Sequence, residues 1–303
     1  MGTVRRSRMR RESRGKCLVL TERDLTIFRA LGQYRYLRST YLHAFAGGAS
    51  ENRFKERLGD LFHEGFIDRP NEQWEFAGRL NAPVVYQLGR RGREGLRMRE
   101  EATDDRRVIL TRGPQRQFAH ALMTCDVVAS FELAARASSS VSFVPVSAIL
   151  KKAPRRSVED RHPLMLGPVN GNSVIPDALF ALRYESGERP SYRFIALEVD
   201  RGTMPVTRSH RGQTSVTAKL DAYEKLICAQ AHKRELGIPN LLVLLLTTSE
   251  SRKGRIIMAA SSKLRDTRPF LFGQFIGLPP SRGTSSLCRY DRIRNPSIAL
   301  DRA

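Results

Sequence analysis

Residues 99–112 are charged and almost free of apolar periodicity, and the hydrophobic pattern differs on either side of them. Before this stretch apolar residues recur at helical spacing in short blocks. After it they form long helical and strand-like runs. One continuous core cannot be patterned across such a break, so the chain reads as two domains joined by a linker at 99–112. The length of 303 residues agrees with about two domains on the usual ~100–200 residues each. With 41% hydrophobic residues the chain can build cores, which excludes wholesale disorder.

The charge balance narrows the partner. There are 52 Lys+Arg against 31 Asp+Glu, a formal net charge of +21. That points to a polyanion, most often nucleic acid. The densest apolar run, Leu241–Leu246 with its flanks, is far short of the ~20 residues a membrane helix needs, so no membrane partner is expected. Behind the basic N-terminus only Cys17-Leu18-Val19-Leu20 follows, too short for a signal-peptide core. The four cysteines, Cys17, Cys125, Cys228 and Cys288, are isolated, which argues against a disulfide framework or a zinc site and fits a reducing cytoplasm. There is no P-loop motif and no His-Glu-x-x-His pair.

Residues 1–16 form a basic tail, expected to be disordered when free and to act either as a phosphate-binding arm or as a solubiliser. Residues 17–98 then predict three short helices and a two-stranded ribbon. Thr21 and Asp24 have capping-box spacing, and Leu25, Phe28 and Leu31 follow on one face. Ser39 and Thr40 offer a second N-cap, with Gly47-Gly48 as the stop. Ser50 offers a third, before Phe54, Leu58, Leu61 and Phe62. The extended runs are Phe66–Arg69 and Pro83–Leu88, with Trp74 between them. This order is that of a winged helix-turn-helix, whose third helix enters the major groove. Asn52, Arg53, Lys55 and Arg57 lie on or beside the outer face of that helix, and Asn and Arg can read adenine and guanine edges, so these four and Trp74 are the candidate DNA contacts.

Residues 113–270 predict an α-β-β-β-α-β-α order: a helix over 118–136, strands over 141–150, 174–183 and 192–200, a helix over 215–236, a buried strand over 241–248, and a helix capped by Ser249. Residues 271–303, rich in Gly, Pro and Ser, predict an irregular tail. Asp177 opens the second strand, and Glu198 and Asp200 close the third. Residues two apart on a strand share a face, and a hairpin would add Asp177 to that face. Three converging carboxylates repel unless something neutralises them. A hard divalent cation such as Mg²⁺ or Mn²⁺ would do so, and would bridge to a phosphodiester and activate water. Lys219 and Tyr223, one turn apart on the next helix, share a face, and the lysine would stabilise the developing phosphorane charge. The bland alternative is carboxylates paired with local arginines such as Arg183, Arg193 and Arg201.

Asp177 with Glu198-x-Asp200 on an αβββαβ core resembles the PD-(D/E)XK nuclease superfamily, although Asp200 stands where a lysine is usual. The resemblance implies that Lys219 supplies that amine from the helix and makes Asp126 and Glu132 on the long helix candidates for an accessory acid, and Lys219-x-x-x-Tyr223 is similar to the Gln-x-x-x-Tyr element of some members. A narrower resemblance covers about residues 20–260. Leu20–Leu25, Tyr86–Gly92, His120-Ala-Leu, Pro176–Leu179, Leu197-Glu198-Val199-Asp200-Arg201-Gly202-Thr203 and Lys219-Leu220-x-x-Tyr223 look like the bacterial replication-relaxation family of plasmid- and mobile-element-associated proteins. The expectation is therefore a two-domain α+β / α/β protein, with catalytic Asp177, Glu198, Asp200 and Lys219 and a metal held by the three acids. Its partners would be double-stranded DNA and other plasmid replication or mobilisation proteins, at the nucleoid or on plasmids. The other class is a non-catalytic transcription or replication factor whose second domain docks a partner or dimerises.

Overall fold

A computed structural model of the chain describes residues 7–13, 15–48, 50–74, 82–99, 115–154, 162–185, 189–208, 214–275, 290–292 and 295–298. The protein is mixed α+β and forms two compact units, residues 1–129 and 130–303. The expected linker lies outside the described residues apart from Arg99.

In the first unit α1 (Glu22–Gln33) starts at the capping box predicted from Thr21 and Asp24. A two-residue strand β1 (Leu37–Arg38) follows, then α2 (Ser39–Ala46), which has no side-chain cap despite Ser39 and Thr40. Gly47, at φ 68°, ends α2. Ser50 caps α3 (Glu51–His63), accepting the Arg53 N–H, and Phe54, Leu58, Leu61 and Phe62 are all buried. Next come β2 (Ile67–Asp68), a 3-10 turn (Asn71–Trp74), β3 (Val85–Leu88) and α4 (Arg90–Arg97). The three strands form an antiparallel sheet in the order β1-β3-β2, with Leu37 opposite Tyr86 and Ile67 opposite Leu88. Buried Gln73 extends the ladder, since its side chain exchanges two hydrogen bonds with the Val85 backbone at 2.9 and 3.0 Å. Gly92 explains part of the Tyr86–Gly92 motif: a Cβ there would collide with the carbonyl oxygen of Phe66.

The described part of the basic tail departs from the expectation of disorder. Arg11 donates to the Phe62 carbonyl at 3.0 Å, and the Glu12 N–H donates to His63 Nδ1 at 3.0 Å. The Ser13 hydroxyl donates to Glu64 at 2.7 Å. The tail docks because these polar groups at the end of α3 need partners.

The long helix α5 (Gln115–Ala137) begins in the first unit and ends in the second. Phe118–Ala137 is long and apolar enough by composition to cross a membrane, but 78% of that window is buried inside the protein.

The second unit is built on a sheet containing β4 (Val141–Val144), β7 (Ala178–Tyr184), β8 (Ser191–Asp200), β9 (Leu242–Thr247), β10 (Phe270–Gln274), β11 (Tyr290–Arg292) and β12 (Asn295–Ile298). The order is β12-β11-β10-β9-β8-β7-β4. β4, β7 and β8 run antiparallel in sequence, and β9 lies parallel to β8 and β10. Phe131 and half-buried Phe143 pack against Phe180, with ring centroids 4.9 and 5.6 Å from it. A hairpin of β5 (Leu166–Val169) and β6 (Asn172–Val174) forms a separate two-stranded sheet.

Four expectations change. The run 141–150 is not one strand: β4 ends at Pro145, which has no N–H to give a ladder and stands as the N-cap of a short helix α6 (Val146–Lys152). The run 174–183 is interrupted by Pro176, which has no N–H to give a ladder. The helix over 215–236 breaks into α7 (Val216–Cys228) and α8 (Ala231–Leu236) at Gln230, which adopts φ 53°. Residues 271–303 are not uniformly irregular: β10 runs to Gln274, and β11 and β12 extend the sheet. α9 (Glu250–Ser261) starts at the Ser249 cap as expected.

Candidate functional site

The acids of the second unit are placed by strand register. Ala178 pairs with Leu197, so Asp177 stands opposite Glu198 at the mouth of the β7–β8 hairpin. Two backbone-linked contacts fix it there: the Asp177 N–H donates to Leu197 O at 3.0 Å, and Asp177 Oδ2 accepts the Val199 N–H at 2.8 Å. Glu198 is 4% exposed. Its carboxylate is held from α7 by both residues of the predicted pair, the Lys219 ammonium on Oε2 and the Tyr223 hydroxyl on Oε1. Asp177 is half-buried and the Lys219 side chain is 32% exposed, so the cluster meets solvent on that side.

The electrostatics are those of a crowded, desolvated pair of acids. Burial first, and Asp177 second, push the Glu198 carboxyl up to about 8, against the pull of Lys219 and Tyr223. Burial opposes the Lys219 charge, yet Glu198 and Asp177 outweigh it and hold the ammonium above its usual range. Burial and the same two acids raise the Tyr223 phenol well above its ordinary value.

Asp200 shares the strand face but has a different partner. Arg252, in the first turn of α9, grips it with two nitrogens, Nη2 lying 2.9 Å from Oδ1. The Thr247 hydroxyl donates to Oδ2 at 3.2 Å and the Gly202 N–H to Oδ1 at 3.1 Å. Arg252 also donates to the Met204 carbonyl, tying the segment after β8 to α9. The structure thus brings Asp177, Glu198, Lys219 and Tyr223 together and gives Asp200 to an ion pair. Among the described residues no group of three or more His, Cys, Asp or Glu gathers as a metal site. Arg252 is the residue that sequence reading missed. Ser249-Glu250-Ser251-Arg252 reads as a helix start, and nothing in it announces the strand end that the arginine serves. Asp126 pairs with Arg38 at 2.8 Å and Glu132 with Arg136 at 2.6 Å.

In the first unit Asn52, Arg53 and Lys55 are exposed on α3, Lys55 bridging to Glu51 at 2.7 Å. Arg57 turns inward onto Asp24, at 3.0 Å through Nε and 2.6 Å through Nη2. Trp74 ends the 3-10 turn with the Arg8 guanidinium 5.5 Å from its ring centre.

The replication-relaxation family model matches residues 28–242. The chain belongs to the replication-relaxation family. The match covers most of the chain and supports a role in replication or relaxation. The matched stretch holds α3 and the whole Asp177–Glu198–Lys219–Tyr223 cluster, whereas the basic arm and Arg252 lie outside this family match. No match was found among curated proteins or among solved structures.

Proposed function

We propose that this family member is a duplex-DNA-binding protein of plasmid or mobile-element replication or mobilisation, with a winged helix-turn-helix in its first unit and a PD-(D/E)XK-like nuclease centre in its second. The convergence of Asp177, Glu198, Lys219 and Tyr223 on one sheet face carries the reading. The α1-β1-α2-α3-β2-β3 order supports the winged helix. The antiparallel β4-β7-β8 set with parallel β9, flanked in sequence by α5 and α7, supports the nuclease-like core.

Asp177 and Glu198 are the residues that would hold Mg²⁺ or Mn²⁺. The donor set fits a hard cation in kind, since two crowded carboxylates, one retaining its proton to about 8, gain from a divalent charge. Such an ion supplies Lewis acidity and a nucleophilic water. The chain's own residues do the rest. Tyr223 and Lys219 fix the Glu198 carboxylate, and the Lys219 ammonium would offset the charge that develops on the phosphoryl oxygens. Asp200 is withdrawn from the ligand set by Arg252. The test is nicking of supercoiled plasmid with Mg²⁺ or Mn²⁺: wild type should convert it, and Asp177→Asn, Glu198→Gln and Lys219→Met should each lose at least about a hundredfold in rate. Equal conversion by wild type and variants removes the enzymatic reading.

The Asp200–Arg252 pair favours a second reading, in which the α/β unit is a docking or dimerisation module of a non-catalytic replication factor. Calorimetry with Mn²⁺ separates the two, because a docking module shows no heat that depends on Asp177 and Glu198.

A further inference from the structure

The helix offered to DNA carries more acid than base. On the part of α3 that meets solvent, Glu51, Glu56 and Asp60 stand against Arg53 and Lys55, because Arg57 is committed to Asp24; Glu64 at the C-cap is buried. A net-negative helix face repels a phosphate backbone.

The docked arm alters that balance. Arg8, Arg10, Arg11 and Lys16 stand against the single acid Glu12. Lys16 pairs with Asp60 at 3.2 Å, Arg11 pairs with Asp68, and the Ser13 hydroxyl covers Glu64. The arm is held partly through its backbone, since the Glu12 N–H bonds to His63 and Arg69 donates to Arg8 O at 2.7 Å, and partly through the Arg11 guanidinium, which donates to Phe62 O. The side chains of Arg11 and Lys16 remain 41% and 49% exposed. Between arm, α3 and β3 runs a groove of about 920 Å³, bordered by the cations Arg8, Lys16, Lys55 and Arg69 and by the acids Glu51, Glu56 and Asp60.

We infer that the N-terminal arm is the neutralising half of a composite duplex-DNA face: it masks the acids of α3, and the sugar–phosphate backbone seats along the groove. This rests on the reading that the first unit binds duplex DNA. It differs from an arm that simply adds phosphate contacts, because here the acids of α3 are the reason the arm is needed.

The experiment uses the full chain and a fluorescent duplex oligonucleotide, with binding followed by anisotropy. Arg8→Gln/Lys16→Gln leaves the Arg11 and Glu12 anchors in place and should weaken binding roughly tenfold. Adding Glu56→Gln/Asp60→Asn to that variant should restore affinity to within about twofold of wild type. Circular dichroism melting confirms that each variant is folded, and Arg8→Gln alone serves if the double variant is not. Undiminished binding by the arm variant, or no recovery when the acids are removed, overturns the inference. Failure of the wild-type chain itself to bind duplex DNA removes instead the reading on which the inference stands.

Discussion

Arg57 lies on the helix proposed to meet DNA, yet its guanidinium is spent inside the protein on Asp24, a residue 1% exposed. Asp24 also closes the capping box of α1, so one carboxylate joins two helices. Removing one partner of a buried pair leaves an uncompensated charge. Because Arg57 is 30% exposed, the cost is discounted to about 2 kcal/mol. Arg57→Leu should lower urea-unfolding stability by about that amount, and the Asp24→Ala/Arg57→Leu cycle should be strongly non-additive. A stable Arg57→Leu chain that has lost DNA affinity would return the arginine to the DNA face. Glu198 gives a second residue-level expectation, this one in pH. Its folded pKa of about 8 exceeds the ordinary 4.5, so its contribution is complete below about 4.5 and is lost as pH rises through about 8. His162 and His232, whose pKa values burial lowers, act in the opposite sense as pH rises through their usual 6.5. The comparison must therefore be with Glu198→Gln. Between about pH 5 and 8 the melting temperature of wild type should fall relative to that of the variant, and parallel curves would contradict the shifted carboxyl.

Among the elements, those set by local chemistry were readable from sequence. The Thr21 cap, the Ser50 cap and the apolar stripe of α3 depend on neighbours within a few residues, and so does the shared face of Lys219 and Tyr223 on α7. The meeting of Asp177 with Glu198 needed only that adjacent strands pair as a hairpin. What failed needed tertiary knowledge or a single backbone dihedral. The Asp200–Arg252 grip spans 52 positions and depends on where the first turn of α9 falls over the end of β8. The split of α7 from α8 rests on Gln230 taking a left-handed conformation that its identity does not advertise. Docking of the arm on α3 depends on His63 and Glu64, which read as an ordinary helix end. Gly92 lies between these cases: its motif was visible, its reason was not. It sits in α4 where Phe66 leaves no room for a side-chain carbon. Gly92→Ala should therefore destabilise by about 2 kcal/mol despite alanine's better helix propensity, as measured by denaturant midpoint. Gly95, on the same helix, is the control. Its added carbon meets only the Leu20 side chain at 3.8 Å, so Gly95→Ala should be neutral or slightly stabilising.

For the whole molecule a net charge of +21 ensures attraction to any polyanion, and that attraction masks what the few acids do. If the second unit brings a phosphodiester to Asp177 and Glu198, the two acids oppose it until a divalent cation intervenes. Most of this repulsion must come from Asp177, because Glu198 keeps its proton to about 8 and Lys219 offsets part of what remains. The expected effect is accordingly modest. With chelator present at neutral pH, Asp177→Asn/Glu198→Gln should bind plasmid DNA about threefold more tightly than wild type, roughly what one partly screened charge contributes. Adding Mg²⁺ at constant ionic strength should erase or invert that difference, since only wild type can recruit the ion to the phosphate. Binding measured by anisotropy on uncleavable phosphorothioate DNA separates affinity from turnover. A variant-to-wild-type ratio that is the same with and without Mg²⁺ would mean that the acids never face the DNA. The cluster would then belong to the interior of a docking module, with Lys219 and Tyr223 as its structural partners.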